Sequence, residues 1–364
     1  MKVCIIGDGL TSLSLAKILI NKKINTHIYC KKKSNNLLLS RTIGISKDNL
    51  EFFKKKILDV KKNIWKIKKI EIFSEKINTN KILDFGNNIN DLFFMIKNND
   101  LYKLLKKELS KSKLFQNKII KNDSFYQELL KKNEYDLIVN CDDKNYISKK
   151  YFSKKIKKSY NNFAYTTILN HNELKNNTAV QVFTKYGPIA YLPLSKNETS
   201  VVYSINYKIN NFNEKKIIYL IKKYNTKLTI KKINKLNKFE LKLSNLRNYY
   251  FSNILAFGDC LHKIHPFAGQ GLNMTIRDIR VISNIIQNKI DHGLQLDSSI
   301  LNEFEKKTRH INFLFSFGID SIFEMFNFNT KIKNQNLNKM INLLGKNKVL
   351  NNIFIKFADR GLFT

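Results

Sequence analysis

The sequence predicts an α/β protein: a Rossmann-like nucleotide-binding unit, an inserted, mainly antiparallel β-sheet layer and a helical C-terminal tail. Three observations carry that reading. The chain opens on a β-α-β pattern with a glycine turn between its first strand and helix. Residues 255–273 repeat the strand–loop–helix order, gathering Pro266, one of three prolines, and Gly258, Gly269 and Gly271 of twelve glycines. Between them, residues 160–245 switch to strand patterns bordered by turn signals.

At the N-terminus, Val3 to Ile6 is an apolar strand and Gly7-Asp-Gly-Leu-Thr-Ser12 a turn. Leu13, Ala16, Leu19 and Ile20 then recur at helical spacing, and Thr26 to Tyr29 forms the second strand. The turn approximates the dinucleotide fingerprint, with Ser12 in place of the third glycine. There the first Gly turns the chain, the second admits the pyrophosphate, and the helix N-terminus holds the phosphates. The other reading is an ordinary strand-to-helix turn with two glycines. An acid about 20 residues further on completes the fingerprint. Cys30 and Lys31 stand there instead.

Next come Ser40-Arg-Thr-Ile-Gly-Ile-Ser46 and an amphipathic helix carrying Leu50, Phe53, Ile57 and Leu58. Arg41 is one of six arginines among 65 basic residues. Bidentate phosphate contact is a reason to hold Arg rather than Lys, and a surface salt bridge is the alternative. From Ile64 to about Phe94 strand patterns return, at Ile70 to Phe73 and Lys81 to Phe85. A helix from Asn99 places Leu101, Leu104, Leu105 and Leu109 on one face, and a strand over 136–141 ends in Asp142-Asp143.

Within 160–245, strands are expected at 163–169, 179–183, 189–192, 200–205, 227–230 and 239–243, with one helix near 213–224. Pro188 and Pro193 bracket the fourth segment's predecessor, Ile189 to Leu192, and Gly187-Pro188 is a turn signal. The tail from about Ser298 is helical, with Ile300, Phe304, Ile311 and Phe315 on one stripe. Its phenylalanines 313, 315, 317, 323, 326 and 328 form either a packing face or a greasy flank for membrane or a lipophilic substrate.

Residues 254–257 read as a buried strand ending at Asp259, followed by the Gly/Pro loop and a helix marked by Ile276, Ile279, Ile282, Ile286 and Ile290. Open α/β sheets bind ligands at such strand ends. His262 and His265 are read as loop-packing or ligand-proximal residues rather than metal ligands. No Ser/His/Asp triad or metal-ligand cluster is expected.

Net charge is +36. Lysine supplies nearly all of it, spread along the whole chain with equally inflated Asn and Ile, so no nucleic-acid partner is expected. Four cysteines, Cys4, Cys30, Cys141 and Cys260, lie far apart without metal or disulfide spacing. No run reaches the roughly 18 apolar residues of a membrane span. The expected location is the cytoplasm, with peripheral attachment at the inner face of the cytoplasmic membrane left open.

With these segments placed, the chain resembles the class A flavin aromatic hydroxylases, most closely their ubiquinone-biosynthesis hydroxylase group. Gly258-Asp-Cys-Leu-His262 followed by His265-Pro-Phe-Ala-Gly-Gln-Gly-Leu-Asn273 is similar to the family's GDAAH…hPxaGQGxN, and Arg277-Asp278 to its following R-D. Ser40 to Ser46 resembles RTxALS, and Gly187 to Pro193 resembles the group's own GPxAxLP. The resemblance implies a p-hydroxybenzoate-hydroxylase-like fold. Its discontinuous FAD-binding domain would take residues 1–65, 95–155 and 246–298, its substrate β layer 66–94 and 156–245, and its C-terminal helices 299–364.

It further implies FAD held by Gly7, Gly9, Ser12, Arg41, Gly258, Asp259, Pro266, Gly269, Gln270, Gly271, Leu272 and Asn273. Asp259 would bond the ribityl chain, and His265 and Pro266 would lie near the flavin ring. NAD(P)H, docking transiently, would reduce the flavin. O₂ would then give a C4a-hydroperoxyflavin that hydroxylates a lipophilic aromatic (prenylated phenol) intermediate of ubiquinone biosynthesis. Association with a biosynthetic complex is a further implication. The chain departs from the pattern at Cys30, Ser12, Asp143 (a Gly in the family) and Met274-Thr275. Losing a charge-assisted ribose contact costs about 1.5–3 kcal/mol. Two rivals stand: another flavin oxidoreductase on this scaffold and, motivated by the weakened N-terminal fingerprint, a flavin-poor accessory subunit of a biosynthetic complex.

Overall fold

Apolar runs without alternation are buried on both faces, as parallel strands require. Strands Lys2–Ile6, Leu137–Asn140 and Ile254–Ala256 are such runs, and they lie side by side in a six-stranded sheet. Asn25–Cys30 and Phe115–Ile119 extend it on one side, all parallel. The two-residue strand Tyr250–Phe251 closes the other edge antiparallel. The structure is a computed structural model that describes residues 1–31, 41–75, 81–86, 91–207, 212–225, 227–264 and 270–332.

Helix Leu10–Asn21 is buried on most of its circumference because it packs on this sheet between helices Asn98–Leu109 and Gln270–Asp291. A second sheet is built on Lys155–His171, 17 residues long, which pairs antiparallel with Glu198–Asn206 and Asn237–Leu246. Gly187–Pro193 and Thr178–Thr184 continue it antiparallel, and Lys69–Ser74 joins parallel to Thr178–Thr184. Helix Glu214–Lys223, capped by Asn213, lays Ile217, Leu220 and Ile221 on this layer. A third, antiparallel sheet of Thr42–Ser46, Phe93–Lys97 and Trp65–Ile67 completes the architecture.

Several expectations shift. Both prolines of Gly187–Pro193 lie inside the strand rather than bracketing it. The strand expected at 227–230 forms at Ile230–Ile233, where it pairs with the end of Lys155–His171. Ile290 is exposed, because the buried stripe of helix Gln270–Asp291 runs through Ile285 and Ile286 and stops there.

Among the described residues, the tail forms one long helix, Ser299–Ile332. Its phenylalanines divide by face. Phe315 packs with Met274 and Ile319, and Phe323 packs with Tyr160 and Leu241. Phe313 and Phe317 are exposed and stack on each other. The side chains of Phe326 and Phe328, and all of 333–364, lie outside the described residues. Asp320 ties this helix to the β layer by accepting from Lys158 Nζ at 2.9 Å and Tyr160 Oη at 2.7 Å.

Candidate functional site

The three central parallel strands end level with one another, and their ladder runs one residue past each end. Gly7 N–H donates to Tyr29 O, Cys141 N–H to Ile6 O and Phe257 N–H to Asn140 O, at 2.8–2.9 Å. The turns after these strands therefore gather on one edge, the carboxyl edge where open α/β sheets bind ligands.

Two glycines shape the first turn. Gly7 takes φ +109°, which an L side chain rarely adopts, and Gly9 is the N-cap of helix Leu10–Asn21. A Cβ on Gly9 would meet nothing within 4 Å, and no side chain caps the helix. The helix therefore presents its unfilled N–H groups, and the positive end of its dipole, to open space. Ser12 is fully buried beneath the turn, beside Cys141, where it packs helix on strand.

Gly258 brings the second turn onto the first. Its φ is +58°, and a Cβ there would lie 2.6 Å from Thr11 Cγ2. Only a residue without a side chain lets this loop rest on the first turn of helix Leu10–Asn21. Asp259 follows, exposed, with no hydrogen-bond partner among the described residues. An unengaged carboxylate stands beside an open helix N-terminus.

Helix Gln270–Asp291 supplies the other border. A Cβ on Gly271 would meet nothing within 4 Å, while Gln270 is buried with Oε1 unpartnered among the described residues. Leu272 is half-buried against the main core. Asn273 is committed inside the protein. Its Oδ1 accepts from Ser46 N–H at 2.9 Å and Asn49 Nδ2 at 3.2 Å, and its Nδ2 donates to Gly44 O at 2.9 Å. It ties the helix to strand Thr42–Ser46. His265, Pro266 and Gly269 lie outside the described residues.

Arg41 sits on the β-layer side, its guanidinium 4.7 Å from the centre of the Phe239 ring and without a carboxylate partner among the described residues. His262 is buried with Nε2 2.6 Å from Asp278 Oδ2, and Asn312 Nδ2 donates to Asp278 Oδ1 at 3.0 Å. This buried link between the loop and two helices gives His262 and Asp278 their partners, while the Arg277 guanidinium lies 4.0 Å from the centre of the Phe315 ring. Sequence spacing alone does not join His262 to Asp278.

Beneath the turns, Asn140, Asn145, Ser148 and Cys260 form a buried polar network, with Asn140 Nδ2 2.8 Å from Ser148 Oγ. Burial pushes the Cys260 thiol up to about 11 and the Cys141 thiol up to about 12. Both are neutral at physiological pH and supply no nucleophile. Asp143 contacts Lys263, which gives this departure from the family's glycine a charge partner. At the end of strand Asn25–Cys30 no carboxylate follows; Lys31 Nζ instead meets Asp123 at 2.8 Å on the surface.

The site thus offers a cradle for an anion, an exposed carboxylate for hydroxyl donors, and open space beside Gly9 and Gly271 that a side chain would fill. Those features fit FAD. The sequence profile of the FAD binding domain family matches residues 169–309. The ubiquinone biosynthesis monooxygenase COQ6 of Dictyostelium discoideum is 24% identical, the match covering 97% of this chain and 90% of that protein. The 3-demethoxyubiquinol 3-hydroxylase of Escherichia coli (strain K12) is 27% identical over 41% of this chain and 40% of its own length. Among solved structures, p-nitrophenol 4-monooxygenase PnpA of Pseudomonas putida DLL-E4 superposes with a TM-score of 0.77 at 13% identity, covering 99% of this chain and 98% of that one. PqsL of Pseudomonas aeruginosa, a probable FAD-dependent monooxygenase, gives 0.72 at 12%, covering 94% and 99%. The fold is that of the FAD-dependent monooxygenases, as the motifs lead one to expect.

Proposed function

We propose that this chain, as a class A flavin-dependent monooxygenase of the ubiquinone-biosynthesis group, uses NAD(P)H and O₂ to hydroxylate the aromatic ring of a prenylated phenol on that pathway. The observation that carries the reading is the convergence of Gly7, Gly9, Gly258 and Asp259 on one sheet edge. It occurs in a chain similar almost end to end to a ubiquinone biosynthesis monooxygenase.

Bound at this edge, FAD supplies the oxygen-activating redox chemistry. The protein supplies position and electrostatics. The N–H groups behind Gly9 would hold the pyrophosphate, and Asp259 would accept hydroxyl bonds from the cofactor's polyol chain. Backbone N–H groups at the start of helix Gln270–Asp291 favour negative charge on whatever faces them. The tie from Asn273 to Gly44 and Ser46 keeps that helix in register with the neighbouring strand. The β layer, 66–94 and 156–245, would wall the aromatic substrate, with Arg41 fixed over Phe239 on that side.

No helix among the described residues is long and apolar enough to cross a membrane. Exposed Phe313 and Phe317 support peripheral attachment, which would suit a lipophilic substrate. Reduced co-sedimentation of a Phe313→Ser, Phe317→Ser chain with anionic vesicles is the expected result.

The whole reading is tested by the visible spectrum of the purified protein and by quinone profiling of a deletion strain. A flavin spectrum, and accumulation of a hydroxylation-blocked intermediate, are expected. The thiol and cation at Cys30 and Lys31 favour one other outcome, the flavin-poor accessory subunit. A colourless protein that takes up no FAD and oxidises no NAD(P)H would establish it.

A further inference from the structure

A cavity of about 940 Å³ is lined by the third sheet and the loop after strand Lys155–His171. It shares no residue with Gly7, Gly9, Gly258 or Asp259. Its lining holds six lysines and two carboxylates. The carboxylates are already engaged, Asp91 by Lys66 at 2.9 Å and Glu173 by Lys196 at 2.8 Å. Lys54, Lys61, Lys68 and Lys175 remain, none meeting a carboxylate among the described residues.

Lysine is abundant over the whole chain, so number alone carries little. Concavity is what differs here. Four like charges lining one hollow raise one another's potential, which a bound anion relieves. The lining is also built. Trp65 Nε1 donates to Asn176 O, and buried Asn176 is pinned in turn, its Nδ2 donating to Ser195 O at 2.8 Å and Thr199 Oγ1 at 3.0 Å. Half-buried Trp65 and buried Phe94 give the cavity an aromatic surface beneath its cationic rim.

We propose that this cavity binds a phosphorylated small molecule. Its phosphoryl group lies among Lys54, Lys61, Lys68 and Lys175, and its apolar or aromatic part covers Trp65. Phosphate oxygens suit ammonium donors acting as point charges, and a ring or acyl chain gains by covering the indole. A nucleotide and an anionic lipid headgroup share this chemistry.

Trp65 is the only tryptophan in the chain, so its emission reports this cavity. The full-length protein would be titrated with 2′,5′-ADP, with dihexanoyl phosphatidic acid as a monomer, and with adenosine as the uncharged control. A saturable change with the first alone assigns a nucleotide, and with the second alone a lipid headgroup. A change with both supports the shared phosphoryl chemistry. The midpoint should rise about tenfold or more in Lys61→Glu, Lys175→Glu, and by a smaller factor in Lys61→Gln, Lys175→Gln. These side chains are exposed, so the variants should retain the wild-type circular dichroism spectrum. No saturable change with either probe, an equal response to adenosine, or a midpoint unmoved by charge reversal in a folded variant would overturn the proposal.

Discussion

Gly258 and Thr11 are in direct contact: a Cβ on the glycine would lie 2.6 Å from Thr11 Cγ2. The loop after one parallel strand therefore rests on the helix that follows another, and the two glycine turns become one site. Gly258→Ala meets both that clash and a φ of +58°. Together these should cost about 2–4 kcal/mol, read by denaturant unfolding, with loss of bound flavin. Adding Thr11→Ala should restore part of the stability by removing the contacting methyl.

Asp259 predicts a different pattern. Its carboxylate is exposed and makes no hydrogen bond to the described residues, so Asp259→Ala should leave unfolding within about 0.5 kcal/mol of the parent. FAD affinity should fall roughly ten- to hundred-fold, as loss of a charge-assisted contact implies. Equilibrium titration of the apoprotein with FAD, beside a denaturation curve, separates the two effects. Unchanged affinity would remove Asp259 from the site.

Asn273 should behave in the opposite way. Asn273→Ala removes the buried hydrogen bonds to Gly44 O, Ser46 N–H and Asn49 Nδ2 and should cost about 2–4 kcal/mol. Flavin loss should follow the loss of stability rather than precede it. A variant of normal stability with weak FAD binding would instead give Asn273 a ligand contact.

His27 is buried, with Nδ1 2.8 Å from Tyr135 Oη. Burial, helped by the nearby cations Lys118 and Lys2, holds its pKa below the ordinary histidine value. The unfolded chain then binds a proton at about pH 6.5 that the folded chain refuses, so stability rises with pH in that window and falls as acid is added. His27→Gln should flatten unfolding free energy against pH below about 6.5. An unaltered slope would remove His27 as its source.

Much of this fold is legible in the sequence, for physical reasons. Strands buried on both faces must be continuously apolar, so Lys2–Ile6 and Ile254–Ala256 announce themselves, and glycines at positive φ mark the turns beyond them. The hidden parts lack such local signals. Phe115–Ile119 is an edge strand, mostly exposed, whose Gln, Asn and Lys break any apolar pattern. Trp65–Ile67 has only three residues and takes its identity from pairing with Phe93–Lys97. Asn273 looks like a ligand residue in its motif, yet its partner Ser46 lies 227 residues earlier. His262 finds Asp278 only because the chain folds the helix back over the loop. Pairings that distant leave no periodicity to read.

A hydroxylase of this kind places oxygen from O₂ on an aromatic ring. The direct measurement is mass spectrometry of a prenylated phenol incubated with purified protein, FAD, NAD(P)H and ¹⁸O₂. The expected product carries one added hydroxyl labelled with ¹⁸O, in an amount that depends on NAD(P)H. NAD(P)H oxidation with bound FAD but no labelled ring product, across the prenylated phenols of the pathway, would contradict it.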